Sequence, residues 1–474
     1  MDIVSLLASI EFPLLSQNFG IDLGWLGQII RALIEGIGIT GVGIIVFTLI
    51  LKAITLPFDI YQRVKMRKQS LVMRDMKDDL EKYQKQYAND KEKYNEKLME
   101  LYKKNGYSPL SACLPMLVSL AILMVAFWGL NSYSQYANLS IYTNMMNAYN
   151  ETILTHCEIA ETDEDGYPVE SGTIVVEEEV RGNEGTYVIV SSTKEDKFIY
   201  YEYNKTVENG TVSYRIDIDK LYAHKTQEIN ALMEASKNEA GAYTDASGET
   251  VNEETARSLA CRTYVRDLGA QAAADNYHEN SPGFLWIQNI WYPDVSYNHP
   301  IQSYDDFLGQ RNIGNEKVII EGDERTVTVK DVLTRDVYEN ITSKLVEEKD
   351  APNGYFVLII LSIGLMFLSQ FLSMRSQKES NKYQSVDGSG AMTQKIMLFV
   401  MPLVYAIFAF MYSAAFSIYM TMSSVIGILV TVISNFFIGR SFRKKEEEEF
   451  RKKYTRSVPS RQAYQKRDEK DKRK

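Results

Sequence analysis

Five clustered apolar runs limit what this chain can fold into more than any other feature. Residues 37–58, 112–130, 354–374, 396–414 and 416–438 each come close to the length that crosses a ~30 Å hydrocarbon core at about 1.5 Å per residue. A segment in lipid must satisfy its own backbone N–H and C=O groups, so each run reads as a helix. Overall composition hides them: 45% hydrophobic and 24% charged residues are proportions of a soluble domain, and only the clustering differs. The expected fold class is a polytopic α-helical membrane protein with five transmembrane helices.

Charge asymmetry orients the spans. Residues 61–108 carry 13 Lys+Arg against 8 Asp+Glu, and residues 440–474 carry 15 against 7. Basic residues in short connections stay in the cytoplasm, which places both segments inside and the N-terminus outside. Residues 131–352 then lie outside, and they hold 18 Lys+Arg against 40 Asp+Glu. The opening "MDIVSLLASIEFPLL" has no basic leader region, so no cleavable signal is expected and the first span serves for export. Cys157 and Cys261 both fall outside, where a disulfide between them is an open alternative.

The organisation expected is as follows. Residues 1–36 form an extracellular N-terminus with an amphipathic helix in the interface, placing Leu26, Ile29, Ile30, Leu33 and Ile34 opposite Arg31 and Glu35. The first span (37–60) leads into a cytoplasmic helical hairpin at 61–108, with arms 61–86 and 91–104 and an N-cap at Asp90. The second span (110–130) is followed by the outer segment 131–352, containing an α+β insertion at about 133–280. There, alternating "TIVVEEEV", "TYVIVSS", "KFIYYEYN" and "TVSYRIDI" read as strands, and 219–240, 253–275 and 331–348 as helices. Spans at 354–374, 395–414 and 416–438, a polar linker at 375–394 and a charged, mostly disordered tail at 439–474 complete the chain.

Within "FTLILKAITLP" stands Lys52, a charge that costs about 2.5–3.5 kcal/mol at the middle of a span by insertion scales. Thr48, Lys52 and Thr55 share one helix face. Ser362, Ser369 and Ser373 share another, with Gln370 alongside, and Ser417, Thr421, Ser424, Thr431 and Asn435 form a stripe on the last span. Hydroxyls can simply join helices, and Lys52 can snorkel to the cytoplasmic side. The other spans hold no acid to neutralise Lys52, so three polar faces read together as a water-filled hydrophilic groove open to the cytoplasm. Such a groove would accept a hydrophilic segment of a translocating chain and release its apolar residues to the bilayer. Arg63, Lys65, Arg67 and Lys68 follow the first span, suited to lipid head groups or ribosomal RNA. The four His are scattered and no nucleophile stands with a base, so enzyme activity, metals and cofactors are not expected.

"FTLILKAITLP", the basic hairpin, "YSPLSACLPMLVSLAIL", "FLSQFLSM" and "VMPLVYAIFAFMYSAAFSIYM", in this order, resemble the YidC/Oxa/Alb family of membrane protein insertases over residues 22–130 and 284–445. "FLWIQNIWYPD" looks like the family's segment before its third span. The short N-terminus looks like the Gram-positive five-span form. The resemblance implies a groove with a basic residue, here Lys52 where the family usually has Arg. It also implies groove or substrate-contact roles at Thr48, Gln370, Tyr419 and Met420. Met420 departs from the family's usual aromatic and "SPLSACLP" from its usual "NPLGGCLP". The implied partners are nascent membrane proteins and lipids, with the Sec translocon and ribosome as further candidates, in a cell membrane. Where relatives of this form usually have a short connection, this chain has the acidic insertion, which is expected to dock an outer partner. A competing expectation is a membrane-anchored receptor or scaffold whose outer domain binds a cell-surface partner; a solute transporter is a third.

Overall fold

The computed structural model of the chain describes residues 23–457, apart from 88, 108–109, 183–184, 207–210, 320–325 and 377–388. It divides into a helical unit (28–131, 292–294 and 355 onward) and an α+β unit (132–291, 295–354 and the residues before 28). Helix α1 (Gly24–Ile37) buries Leu26, Ile30 and Ile34, leaves Ile29 exposed and closes an Arg31–Glu35 ion pair at 2.7 Å. Helix α2 (Thr40–Asp75) packs close to it, because a Cβ on Gly43 would stand 2.7 Å from Ile34 Cγ1. Helix α2 runs 36 residues, about 54 Å, through Pro57. The hairpin arm expected to start at Tyr61 is therefore continuous with the first span as far as Asp75. Residues 61–75 are mostly good helix formers, and a helix already nucleated in the span extends through them at little cost. The hairpin proper is α3 (Lys77–Gln86) and α4 (Lys91–Lys104), with Asp90 accepting from the Lys93 amide at 3.1 Å. Met76, Leu80, Leu101, Tyr102 and Tyr107 form its own small core.

Helix α5 (Leu110–Leu154) does not stop at residue 130, where the second span was expected to end. Tyr133, Tyr136, Leu139, Tyr142, Met146, Tyr149 and Ile153 recur every three or four residues and are buried, which carries the helix on into the α+β unit. There β1 (Ile174–Gly182), β2 (Gly185–Ser192), β3 (Ile199–Asn204) and β4 (Thr211–Ile216) form an antiparallel meander in chain order. Val190 pairs with Tyr201 and Tyr201 with Tyr214, so alternate side chains enter one face. Helices α6 (Ile218–His224) and α7 (Thr226–Ala235) replace the single helix expected at 219–240, and α8 (Glu253–Glu279) starts at an Asn252 cap.

Beyond α8, α9 (Tyr304–Gly309) precedes a short pair, β5 (Lys317–Ile319) and β6 (Thr326–Thr328). The helix expected at 331–348 is three pieces, α10 (Val329–Val332), α11 (Arg335–Ile341) and α12 (Val346–Asp350). Thr334 accepts from the Val337 amide and so starts a new helix where the old one would continue. The core of this unit centres on Tyr142, Phe307 and Tyr338, with Tyr142–Phe307 and Tyr142–Tyr338 ring centroids 4.2 and 5.2 Å apart. The Tyr338 hydroxyl donates to the Gln302 carbonyl at 2.6 Å. Cys157 and Cys261 are both buried free thiols, so the open disulfide alternative does not occur.

Helices α13 (Val357–Ser376), α14 (Ser389–Met411) and α15 (Ala414–Ser457) belong to the helical unit, where α15 packs on both α13 and α2. Among the described residues Thr40–Lys65, Val357–Arg375 and Ala414–Phe437 are long and apolar enough to cross a membrane, and Leu398–Met411 is a shorter apolar helix. The second expected span lies in α5, where most side chains of 110–120 lie outside the described residues. Its Phe127 ring meets Phe408, Tyr412 and Phe416 at 5.7, 4.5 and 5.2 Å. Most of the expected linker and residues 458–474 also lie outside the description. The tail, expected to be disordered, is instead helical to Ser457. Glu447/Arg451, Glu448/Lys452 and Glu449/Lys453 stand four apart in the orientation that favours a helix.

Candidate functional site: a polar face in the helical unit

The face read on α2 is longer than its three sequence-marked residues. Lys52, Asp59 and Arg63 are spaced seven and four residues apart, within an arc of about 40° around the helix. All three are half-buried, and Asp59 and Arg63 both act electrostatically on Lys52. Among the described residues the Lys52 ammonium makes no hydrogen bond or ion pair, and Asp59 and Arg63 reach it through their fields. The acid that acts on Lys52 stands in the same helix and not in another span. Asp59 follows Pro57 and is not among the residues that the sequence spacing marks. Pro57 also lacks the N–H that would bond the Ala53 carbonyl, which frees an acceptor between Lys52 and Asp59.

The hydroxyls differ in what they do. Thr48 is fully buried and donates to the Ile44 carbonyl at 2.7 Å, and Thr55 donates to the Lys52 carbonyl at 3.2 Å. On α13, buried Ser362 donates to Ile359 O at 2.8 Å and accepts from the Tyr405 hydroxyl of α14 at 2.9 Å. Ser369 lies against Gly427 of α15, where an added Cβ would be 3.5 Å from its Oγ. Gln370 is half-buried. On α15, Ser417, Ser424 and Thr431 are buried, and the stripe ends on buried Ser434 while Asn435 is exposed. Thr421 Oγ1 is buried without a hydrogen-bond partner among the described residues, a state that costs about 1–3 kcal/mol unless a polar group or water reaches it. Tyr419 and Met420 are buried, the Tyr419 ring lying 6.4 Å from Phe47 of α2.

Of the basic residues after the span, Arg63 turns inward, donating from Nη2 to Thr431 Oγ1 at 2.8 Å. Thr431 in turn donates to Gly427 O at 2.7 Å. Lys65 and Lys68 are exposed, and the Arg67 side chain lies outside the described residues. A second anchor escaped the sequence reading altogether. Asp294, fully buried, accepts from the Tyr355 and Leu358 amides at 2.8 and 2.6 Å and so caps the start of α13; Tyr292 O accepts from Ala414 N at the start of α15. No local pattern signals it, because the capped amides lie more than sixty residues on.

Residues 32–174 match the family model described as 60Kd inner membrane protein. The chain is 35% identical over 116 residues to the membrane protein insertase YidC of Caldanaerobacter subterraneus subsp. tengcongensis, covering 24% of this chain and 54% of that protein. It is 41% identical over 96 residues to the one from Fusobacterium nucleatum subsp. nucleatum (20% and 45% covered) and 31% identical over 119 residues to the one from Clostridium perfringens (24% and 48%). The chain thus spans about half the length of the curated relatives it matches. The matched segment includes Thr48, Lys52, Thr55, Asp59 and Arg63.

Proposed function

We infer from the match of residues 32–174 to the family model and to the curated insertases that this multi-pass helical membrane protein belongs to the YidC/Oxa family and works as a membrane protein insertase. The observation that carries the reading is Lys52: a half-buried cation within an apolar helix, with no direct partner among the described residues. A hydrophilic, acidic segment of a client would meet it there, with unpartnered Thr421 as a polar contact, and the client's apolar segment would pass to lipid without covalent chemistry. In this reading five spans, N-terminus outside and C-terminus inside, enclose a groove open to the cytoplasm, in the Gram-positive type of cell membrane. Gln370, Ser369, Ser417, Tyr419, Met420 and Ser424 line or support that groove. Lys65, Arg67 and Lys68 face anionic lipid or a ribosome, and nascent chains arrive with or without the Sec translocon.

The α+β unit, which has its own core around Tyr142, Phe307 and Tyr338, favours a second role as an extracellular docking domain. If that unit carried the whole function, the chain would be an anchored receptor instead. Complementation of a cell depleted of its essential insertase separates the two. Wild type and Lys52→Arg should restore growth while Lys52→Ala should not. Full rescue by Lys52→Ala would remove the groove from the mechanism, and failure of only a 133–280 deletion would favour the receptor.

A further inference from the structure

The segment "FLWI" forms a tight turn with an unusual tip. Phe284 N donates to Ile287 O at 2.9 Å and Ile287 N to Phe284 O at 3.1 Å, leaving Leu285 and Trp286 as the two central residues. Leu285 has φ +58°, a left-handed conformation that glycine or asparagine adopts readily and leucine only under strain. It is also 73% exposed. Strain and an exposed apolar side chain at one position both oppose folding in water, so neither the turn nor the core accounts for leucine here.

Hydrogen bonds to Asn353 hold the base of the turn. Gln288 N donates to Asn353 O at 3.1 Å, Asn289 N to Asn353 Oδ1 at 2.8 Å, and Asn353 Nδ2 returns to Asn289 O at 3.0 Å, with both asparagines buried. Chain connectivity limits how far such a base can lie from the starts of α13 and α15. Asn353 precedes α13 by four residues, and Tyr292–Asp294, whose backbone and carboxylate hold the first residues of α13 and α15, begin five residues after Ile287. Five residues reach at most about 18 Å. The composition agrees: residues 280–293 contain no charged side chain, inside a region dominated by acids that anionic head groups would repel.

We propose that the Leu285–Trp286 tip inserts into the head-group and upper acyl region of the leaflet in which α13 and α15 begin. It acts there as a lipid anchor for the α+β unit, whose own surface is acidic. Leucine and tryptophan are side chains favoured at that depth. The proposal rests on α13 spanning the membrane, and not on insertase activity.

The test uses the full chain in vesicles of phosphatidylcholine and phosphatidylglycerol, with an environment-sensitive fluorophore on a single added cysteine at Leu285→Cys. Ile360→Cys on α13 and Val169→Cys on the α+β unit serve as references, both exposed in the fold. Lipids with brominated acyl chains supply the quencher. The expected result is a blue-shifted emission at 285 that loses most of its intensity to bromolipid, as at 360, while 169 stays aqueous and unquenched. Aqueous emission at 285 beside a quenched 360 overturns the anchor alone; loss of quenching at both overturns the span reading with it. Leu285→Gly provides a second variant: relief of strain should raise the melting temperature, while the share of tryptophan quenching by bromolipid that Trp286→Phe removes, and that so belongs to Trp286, falls. Unchanged tryptophan quenching in that variant would also count against the anchor.

Discussion

Arg63 of α2 donates to the Thr431 hydroxyl of α15 at 2.8 Å, a hydrogen bond between residues 368 positions apart. It ties the helix that carries Lys52 to the helix that carries the longest polar stripe. It also removes one basic residue from the set available to lipid. Replacing Thr431 with Val keeps the shape but leaves a half-buried guanidinium without that acceptor. Thr431→Val should destabilise the helical unit by about 1–3 kcal/mol, read as a lower melting temperature in detergent, and Thr431→Ser should restore most of it.

Asp59 offsets part of the positive field around Lys52. Asp59→Asn removes that negative charge, a change of about 1–2 kcal/mol in interaction with a client carboxylate at ~10 Å. Photocrosslinking from an acidic client segment to the α2 face should therefore rise several-fold in Asp59→Asn and fall below wild type in Lys52→Ala. Equal yields in all three would mean that the client does not sense this field.

The Asp294 cap is predicted to matter more than its distance from the polar face implies. Asp294→Ala leaves two backbone amides at the start of α13 without an acceptor and should cost about 2–4 kcal/mol. Asp294→Asn keeps one acceptor and should cost less. Thermal unfolding of the purified chain distinguishes the two, and equal melting temperatures would argue against the cap.

In the α+β unit the Glu158 carboxylate is held down to about 2, first by a hydrogen bond from Lys194, then by those from Ser192 and Thr173. A lowered carboxylate pKa stabilises the fold above its unfolded value near 4.5, and this contribution disappears as pH falls from there toward 2. Melting temperature should be insensitive to Glu158 titration between pH 5 and 7 and decline below about 4.5. Glu158→Gln should be less stable at pH 7 and show a shallower acid decline.

Burial pushes the Cys157 and Cys261 thiols up to about 11. At pH 7 both should resist maleimide in the folded protein and label promptly once it is denatured, with mass spectrometry counting the adducts. Rapid labelling of either thiol in the native protein would show that its pocket opens.

The strands of the α+β unit were legible because alternation is a local property: β2 to β4 each begin and end within two residues of the patterned segments. Helix extent was less so. The helical spacing of Tyr133, Tyr136 and Leu139 in "GLNSYSQYANL" is a weak signal that α5 continues, since its buried face includes tyrosines and asparagine that also suit loops. The polar face was half legible: Thr48, Lys52 and Thr55 follow from spacing, while Asp59 is not among the residues that the spacing marks.

Local pattern was enough for the apolar helices, the charge asymmetry, the β meander and the lysine in an apolar run, all of which can be read without knowing how the chain packs. Which faces meet is a matter of packing. Arg63 finds Thr431, Tyr405 finds Ser362, and Asp294 caps a helix more than sixty residues away. Periodicity fixes the side of a helix on which a residue stands, but the partner across the gap depends on the packing of whole helices, and no short-range pattern encodes it.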